Sequence, residues 1–534
     1  MKFSRVIKSV TATWAAVLIT GLVAFFLTPF ILHRLGNEGY GLWVLVVSLT
    51  DHYLFLGVGL RSSVVRYVAR HLALGDQKNV NRVVASGFYC LSAICILVMA
   101  ATVAIARYVP KFFAVHAEYV STVTALFLLA GLATALDFPL SIFEGTLESV
   151  GRFDQLYGVR ILGQVLRAGL IVFALVKGWG LLGVGAATIA GTLAPRLLVV
   201  PLSKIEVPHL SLHPQWIHGG TLRSMFSYGA ISFSIGLGER FKTSLYPLVI
   251  AKFLTASAVT LFAIPMKILQ MPLGGIGNMT EYVNPMSSHL DAQGNREKLR
   301  SVLITSVQGS YLLLAPLAAI LFVFGKDLIS LWVGSAYAVT YPILVMLTIG
   351  LGVNAAQSSA QSMLFGIGKH RGLIGYRIGE GLSILILAIP LIRVWGVAGF
   401  AMATLIPLVI INCFLIPRHL GQMLDLPLVR YLIEACVSPT LLVAPMALAL
   451  WSLHRRFAFH TWKSLIVASV IGVLIYGATL IASSSLHRSL PFAGLRVDVL
   501  EIVRARIAQR LDGRRGAAKQ IASGVTRKEM GATP

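Results

Sequence analysis

Apolar residues fill this chain in blocks of about twenty, separated by short clusters of charge, glycine and proline. A stretch such as Thr13–His33 (TWAAVLITGLVAFFLTPFILH) has neither the alternation of a strand nor the polar face of a soluble helix. It matches the ~20 residues that cross a ~30 Å hydrocarbon layer, and Trp462–Ala482 does the same. Dividing the chain at its charge and turn clusters predicts fourteen spans: 13–33, 40–60, 82–106, 119–143, 158–177, 180–201, 226–248, 257–280, 300–324, 338–362, 373–392, 396–416, 430–452 and 462–484. Within lipid a spanning segment must bond its own backbone N–H and C=O groups, so the predicted class is an all-α polytopic membrane protein.

Three phrases recur along the chain at nearly constant spacing. Pro29 to Leu72 echoes Pro247 to Leu290 at an offset of 218, matching Gly57 with Gly275 and Gly59 with Gly277. GRFDQLYGVRI (151–161) echoes GKHRGLIGYRI (368–378) at 217, matching Arg160 with Arg377. KGWGLLGVGAAT (177–188) echoes RVWGVAGFAMAT (393–404) at 216, matching Gly180 with Gly396 and Gly183 with Gly399. Three colinear echoes predict two six-helix repeats. Six is even, so both repeats enter the membrane in the same sense and are related by an axis along its normal.

The predicted organisation is therefore an N-lobe at 1–201 and an inter-lobe linker at 202–225. A C-lobe at 226–417, an extra helix pair at 418–484 and a basic tail at 485–534 follow. Two lobes oriented alike leave a cleft between them, which is a carrier's architecture. Gly180 and Gly396 sit where one helix reverses into the next within about three residues, a place that needs a residue without a Cβ.

Composition agrees with the pattern. Of 534 residues, 56% are apolar and 12% charged, about half the charge of a soluble chain. The apolar run after MKFSRVIKSV is too long for a signal peptide and ends without a small-residue cleavage site, so it reads as a retained first helix. The net charge of +24 is distributed unevenly. With the N-terminus in the cytosol, that side collects 31 of the 45 Lys and Arg residues, the other side 12, and Arg167 and Lys267 fall inside spans. The positive-inside rule thus predicts a cytoplasmic membrane protein with both termini cytoplasmic. Topology and contact with membrane lipids account for the charge. Nucleic acid is not an expected partner, because no basic soluble domain exists. The four cysteines lie in apolar runs without metal-type spacing, so no metal site is expected.

Polar groups at membrane depth are the informative ones, since a charge there costs about 2.5–3.5 kcal/mol on insertion scales and needs a partner or a wet cavity. These are Asp51, His52, Asp137, Arg167, Glu239, Arg240, Lys242, Lys267, Gln270, Glu380 and Glu434. Arg167 and Lys267 are nearest mid-span, with no opposite charge one turn away on their own helices. Each calls for an interhelical acid or an anionic ligand. Arg160 and Arg377, just inside span ends, read either as snorkelling to headgroups or as a basic rim for an anionic substrate. No GxxxxGK[ST] loop, HExxH or GxSxG is present, and no outer loop is long enough for a catalytic domain. A non-enzymatic carrier with no cofactor is expected.

LGNEGYGLW (35–43), Gly59-Leu60, RSSVVRYVARHLALGD (61–76), GRFDQL (151–156), GWGLLGVGAA (178–187) and NPMSSHLDAQGN (284–295) together resemble the polysaccharide-biosynthesis flippases. These belong to the multidrug/oligosaccharidyl-lipid/polysaccharide exporter superfamily, and the likeness covers roughly residues 10–420. The chain departs from the pattern at Gly57 and Tyr246, where such proteins often carry an acid. The resemblance implies a carrier that takes a polyprenyl-diphosphate-linked glycan from the inner to the outer leaflet, with polysaccharide polymerase or glycosyltransferase machinery as protein partners. Arg61 and Arg66 match the family's basic positions after the second helix and are implied headgroup contacts. Together with Arg160, Arg167, Arg240, Lys267 and Arg377 they form the candidate cationic set, and Asp51, Asp137 and Glu380 are the ion-coupling candidates. A drug or organic-cation antiporter of the same superfamily is the alternative, and those three acids would line its pocket.

Overall fold

The computed structural model describes residues 3–229, 245–280, 282–369 and 371–486, as helices joined by short turns with no strand among the described residues. The first half comprises α1 (Phe3–Asp51), α2 (Val58–Ala73), α3 (Gln77–Ala106), α4 (Val120–Ser149), α5 (Phe153–Val176), α6 (Gly180–Leu197) and α7 (Val199–Glu206). The second comprises α8 (Tyr246–Phe253), α9 (Ala256–Met279), α10 (Val283–Ala292), α11 (Arg296–Val333), α12 (Tyr341–Ala356), α13 (Ser358–Gly366), α14 (Arg371–Val409) and α15 (Ile416–Leu424). Two further helices, α16 (Ala444–Arg456) and α17 (Trp462–Leu486), complete it.

Eleven stretches among the described residues are long and apolar enough to cross a membrane. The chain is a multi-span membrane protein. Within the ranges given for α1 and α14, a non-helical glycine, Gly36 (φ 71°) and Gly396 (φ 56°), separates two helical stretches, at the places where one span was expected to give way to the next. Most of the expected span 226–248 lies outside the described residues, as does nearly all of the tail 485–534. Lipid-type burial is evident on the outside, where Phe26 and Ile481 are 69% and 71% exposed. One continuous apolar core joins both halves, including Leu32, Leu42 and Leu45 of α1, Phe262 of α9, Leu344 of α12 and Phe400 of α14.

Local geometry matches at positions the sequence pairs. Gly151 and Gly368 have φ of 73° and 70°, and Gly180 and Gly396 both have φ of 56°. Gly151 and Gly368 follow helix ends, Gly180 opens α6 and Gly396 sits at the break within α14, and all four have a positive φ at which an L side chain is strained. A third pair, Gly75 (φ 68°) and Gly294 (φ 67°), precedes matching caps. The Asp76 side chain accepts from the Asn79 backbone N–H at 3.0 Å, and the Asn295 side chain accepts from that of Lys298 at 3.0 Å. The Asn79 backbone N–H is the main reason the Asp76 carboxyl lies below its usual value. Its stabilising contribution is in place above the ordinary aspartate range and is lost as pH falls through the lowered value. Around Gly180 and Gly396 an added Cβ meets open space, so only backbone strain opposes it. Gly180→Ala and Gly396→Ala are each expected to lower stability by about 1–2 kcal/mol. Gly158→Ala, in an open position within α5, should be neutral or stabilising. Thermal unfolding of the three variants in one detergent checks this.

The halves meet along a seam. The Trp332 indole N–H donates to the Phe25 carbonyl at 2.8 Å, and its ring stacks on Phe25 with centroids 5.4 Å apart. The Thr260 hydroxyl donates to the Asn37 carbonyl at 2.6 Å, and the Tyr337 hydroxyl bonds the Asn37 side chain. Beside them, a Cβ on Gly41 would lie 1.9 Å from the Ala256 carbonyl oxygen, so α1 meets the start of α9 backbone to backbone. The stretch after α7 is strapped to α3: Asn81 donates to the His209 carbonyl at 3.2 Å and accepts from the Ser211 N–H at 3.1 Å.

Candidate functional site: a cationic cavity between the halves

Two adjoining cavities lie beside α9. The larger, about 890 Å³, has two unlike walls. Its polar wall carries Glu144 of α4, Arg160, Gln164 and Arg167 of α5, Arg196 of α6, and Lys267 and Gln270 of α9. Its apolar wall is built by Phe25 of α1, Leu317, Ile320, Leu321 and Trp332 of α11, and Leu465 of α17. The smaller cavity, about 670 Å³, lies across α9 and shares Lys267, Gln270 and Gly274 with the first.

Helical periodicity makes the polar wall. Arg160, Gln164 and Arg167 stand at i, i+4 and i+7, so they form one stripe on α5. Small residues hold that stripe against α6. A Cβ on Gly191 would lie 2.4 Å from the Arg167 Cα, and one on Gly163 would lie 3.1 Å from the Gly191 carbonyl oxygen. This close crossing seats the Arg167 backbone directly against α6. Arg167 and Lys267, far apart in the chain, meet at this one cavity. Among the described residues no hydrogen bond or ion pair joins either side chain to another, and the buried Arg167 Nε has no partner. The Lys267 ammonium feels the charges of both Arg167 and Asp51. Lys267 and Gln270 expose surface to the cavity although α9 runs through the middle of the bundle.

The remaining cations behave differently. Glu144, only 2% exposed, is shared by three arginines: Arg61 Nη1 at 2.9 Å, Arg160 Nη2 at 3.3 Å and Arg196 Nε at 3.4 Å. Arg61 also pairs with Glu148 at 2.6 Å, and Arg196 with Asp137. Three arginines and three acids thus form a neutral network at one end of the cavity. Arg61 belongs to that network without lining the cavity, and Asp137 is tied into it. Arg66 is exposed, with its guanidinium 4.5 Å from the Tyr228 ring centroid, away from both cavities. Arg377 bonds Glu380 at 3.1 Å and Asn354 at 3.1 Å, and also reaches Gln361. Asp51 lines the smaller cavity. Arg240 lies outside the described residues.

Glu144 and Arg196 escaped the sequence reading. Arg196 sits at a span end, where snorkelling is the ordinary explanation, and nothing local links it to Glu144 fifty-two residues earlier. The α5 stripe was the available signal. Gln164 between two arginines on one face marks a wet side of that helix.

Comparison with known proteins agrees with this architecture. A family model described as polysaccharide biosynthesis protein matches residues 31–342. The chain is 22% identical over 474 residues to an uncharacterized membrane protein, EpsK, of Bacillus subtilis (strain 168), covering 86% of this chain and 92% of that one. It is 22% identical over 261 residues to a probable low-salt glycan biosynthesis flippase, Agl15, of Haloferax volcanii, covering 48% of this chain and 53% of that one. Among solved structures, the lipid II flippase MurJ in an inward closed conformation superposes with a TM-score of 0.67 at 14% identity, over 91% of this chain and 99% of MurJ. An inward-facing multidrug resistance MATE family transporter of the MOP superfamily gives 0.66 at 14% identity, over 76% of this chain and 95% of that one. The fold is that of these transporters, and the chain belongs to the polysaccharide biosynthesis protein family.

Proposed function

We propose that this protein is a flippase that moves a polyprenyl-diphosphate-linked oligosaccharide from the inner to the outer leaflet by alternating access. The observation that carries the reading is the pair of cations Arg167 and Lys267, which have no partner among the described residues, in a cavity that is also lined by apolar side chains. An ion in a low-dielectric site without a partner is costly, and a diphosphate supplies the missing charge and acceptor oxygens. The apolar wall of α1, α11 and α17 offers a path for the polyprenyl tail. Organic-cation antiport would need ionised carboxylates left open. Of the three acids that such a pocket would use, Asp137 and Glu380 are instead bonded to arginines, while Asp51 lines the smaller cavity beside Lys267, which favours the anion-carrying reading.

The architecture that goes with this function has fourteen spans, both termini in the cytosol, parallel six-helix lobes at 1–201 and 226–417, and the pair at 418–484 as a flanking unit. Arg160 and Arg196 stand at the cavity's proposed cytosolic mouth, neutralised by Glu144 until a stronger anion arrives. Arg61 and Arg66 are placed by the same scheme at the cytosolic surface as first headgroup contacts, and Asp51 and Glu380 as sites where an ion gradient is felt. Polymerase or glycosyltransferase machinery would receive the product.

The test is reconstitution. Proteoliposomes containing the purified chain and a polyprenyl-diphosphate-linked glycan in one leaflet should show exchange of the glycan to the other leaflet, with empty liposomes as control. No exchange under any proton or sodium gradient would overturn the assignment.

A further inference from the structure

We infer that the smaller cavity is the chamber for the first sugar of the transported lipid, with Trp43 as its stacking platform and Gln270 as a hydrogen-bonding group at its threshold. This rests on the flippase reading and assigns a second half to the same site.

The two cavities share Lys267 but differ in their arginines. Arg160, Arg167 and Arg196 all line the larger one, whereas no arginine is among the residues lining the smaller. The smaller cavity carries Tyr40, Trp43 and Tyr246 together with hydroxyl, amide and carboxylate groups, including Ser358, Gln361 and Asp51. Lys267 is its one lysine or arginine, and aliphatic residues such as Val44, Leu273 and Leu351 fill the space between the aromatic and polar groups, so it offers a diphosphate fewer cations than the larger cavity does. It suits a sugar ring, which has C–H faces to lay on an aromatic plane and hydroxyl edges to bond to polar groups. The volume of about 670 Å³ lies within the ~300–1,000 Å³ usual for small-molecule sites.

Particular residues make the fit. Trp43 is half-buried against the core, and no hydrogen bond joins its indole N–H to another described residue. It keeps a donor and a ring face for a ligand. Gln270 exposes its amide and likewise has no partner among the described residues. The amide oxygens of Asn354 and Gln361 are fixed by Arg377, so that wall is held in place before any ligand arrives. Lys267 and Gln270 belong to both cavities. A diphosphate seated on Lys267 would therefore stand at the boundary between the two cavities. Selection among glycans would be exercised by the aromatic side of α9, and retention of the carrier lipid by the arginine side.

Two probes separate these roles: polyprenyl diphosphate alone, and the same lipid bearing a single hexose or N-acetylhexosamine. Binding of each to the detergent-solubilised full chain is measured for wild type, Trp43→Ala and Trp43→Phe. The wild type should bind at least one sugar-bearing probe more tightly than the bare lipid. Trp43→Ala should lose about tenfold or more on that probe while staying within twofold on the bare lipid. Unchanged bare-lipid binding also certifies that the variant is folded. If the alanine variant does not fold, Trp43→Phe, which keeps a smaller ring and loses the N–H, should show the same selective loss at several-fold. Equal affinity of the wild type for all probes, or an equal loss on both by either variant, would overturn the chamber assignment. Failure of the wild type to bind even the bare lipid would instead overturn the flippase reading on which it rests.

Discussion

Replacing both Arg167 and Lys267 with glutamine abolishes lipid-glycan translocation while leaving the protein at least as stable as before. That pairing of outcomes is the point of the experiment. Each side chain sits in the cavity wall with no hydrogen-bond or ion-pair partner among the described residues, so each bears a desolvation penalty. Removing the charge relieves the fold. It also removes two charge-assisted contacts to a bound diphosphate, each worth about 1.5–3 kcal/mol, or roughly 10²–10⁴ in affinity together. Glutamine keeps much of the length and polarity, so the cavity does not collapse. Melting temperature in detergent and transfer in proteoliposomes read the two effects separately. Unimpaired transfer by the double variant would strip both residues of their role, and a sharp fall in stability would mean that they hold the fold instead.

Glu144→Ala behaves in the opposite way. Its carboxylate is shared by Arg61, Arg160 and Arg196 and is almost wholly buried. Deleting it leaves three guanidiniums facing one another with only Asp137 and Glu148 to balance them. Removing one member of a buried ionic network costs about 3–5 kcal/mol, which is enough to unfold a marginally stable protein. Loss of folded protein on purification is the expected result. Removing a cation as well, in Glu144→Gln with Arg160→Gln, restores charge balance and should recover part of that loss. The recovery is non-additive because the groups touch. Size-exclusion profiles and thermal melts of the single and double variants decide it. A Glu144→Ala protein as stable as wild type would show that the arginines are held by other means.

The helical, multi-span character was legible because lipid imposes it residue by residue: blocks such as Thr13–His33 have no other home. The left-handed glycines were legible at Gly180 and Gly396, since a reversal that tight leaves one residue type. Arg167 and Lys267 were legible as functional candidates because a mid-span charge always demands an account. Their neighbours were not. Whether Arg160 is a free rim residue or one spoke of a network depends on Glu144, sixteen residues earlier on the preceding helix, and periodicity within one helix carries no information on a contact between two. Arg377 poses the same difficulty. Its position at a span end suggests snorkelling, yet it bonds Glu380 one turn along its own helix and reaches Asn354 on α12 and Gln361 on α13. The breaks expected between residues 33 and 40 and at 392–396 fall at Gly36 and Gly396, where a non-helical glycine parts two helical stretches with almost no loop between them.

The seam between the halves has a consequence for motion. The hydrogen bonds at Phe25 and Asn37 join neutral groups, and the nearest charged tie, from Lys252 to the Phe112 carbonyl at 2.9 Å, lies in the open. Parting there strands no ion in a dry place. Each released bond is exchanged for one to water at a net loss of about 0.5–1.5 kcal/mol. These ties thus add only a few kcal/mol to the apolar core that joins the halves, and they can be broken without leaving a bare charge behind.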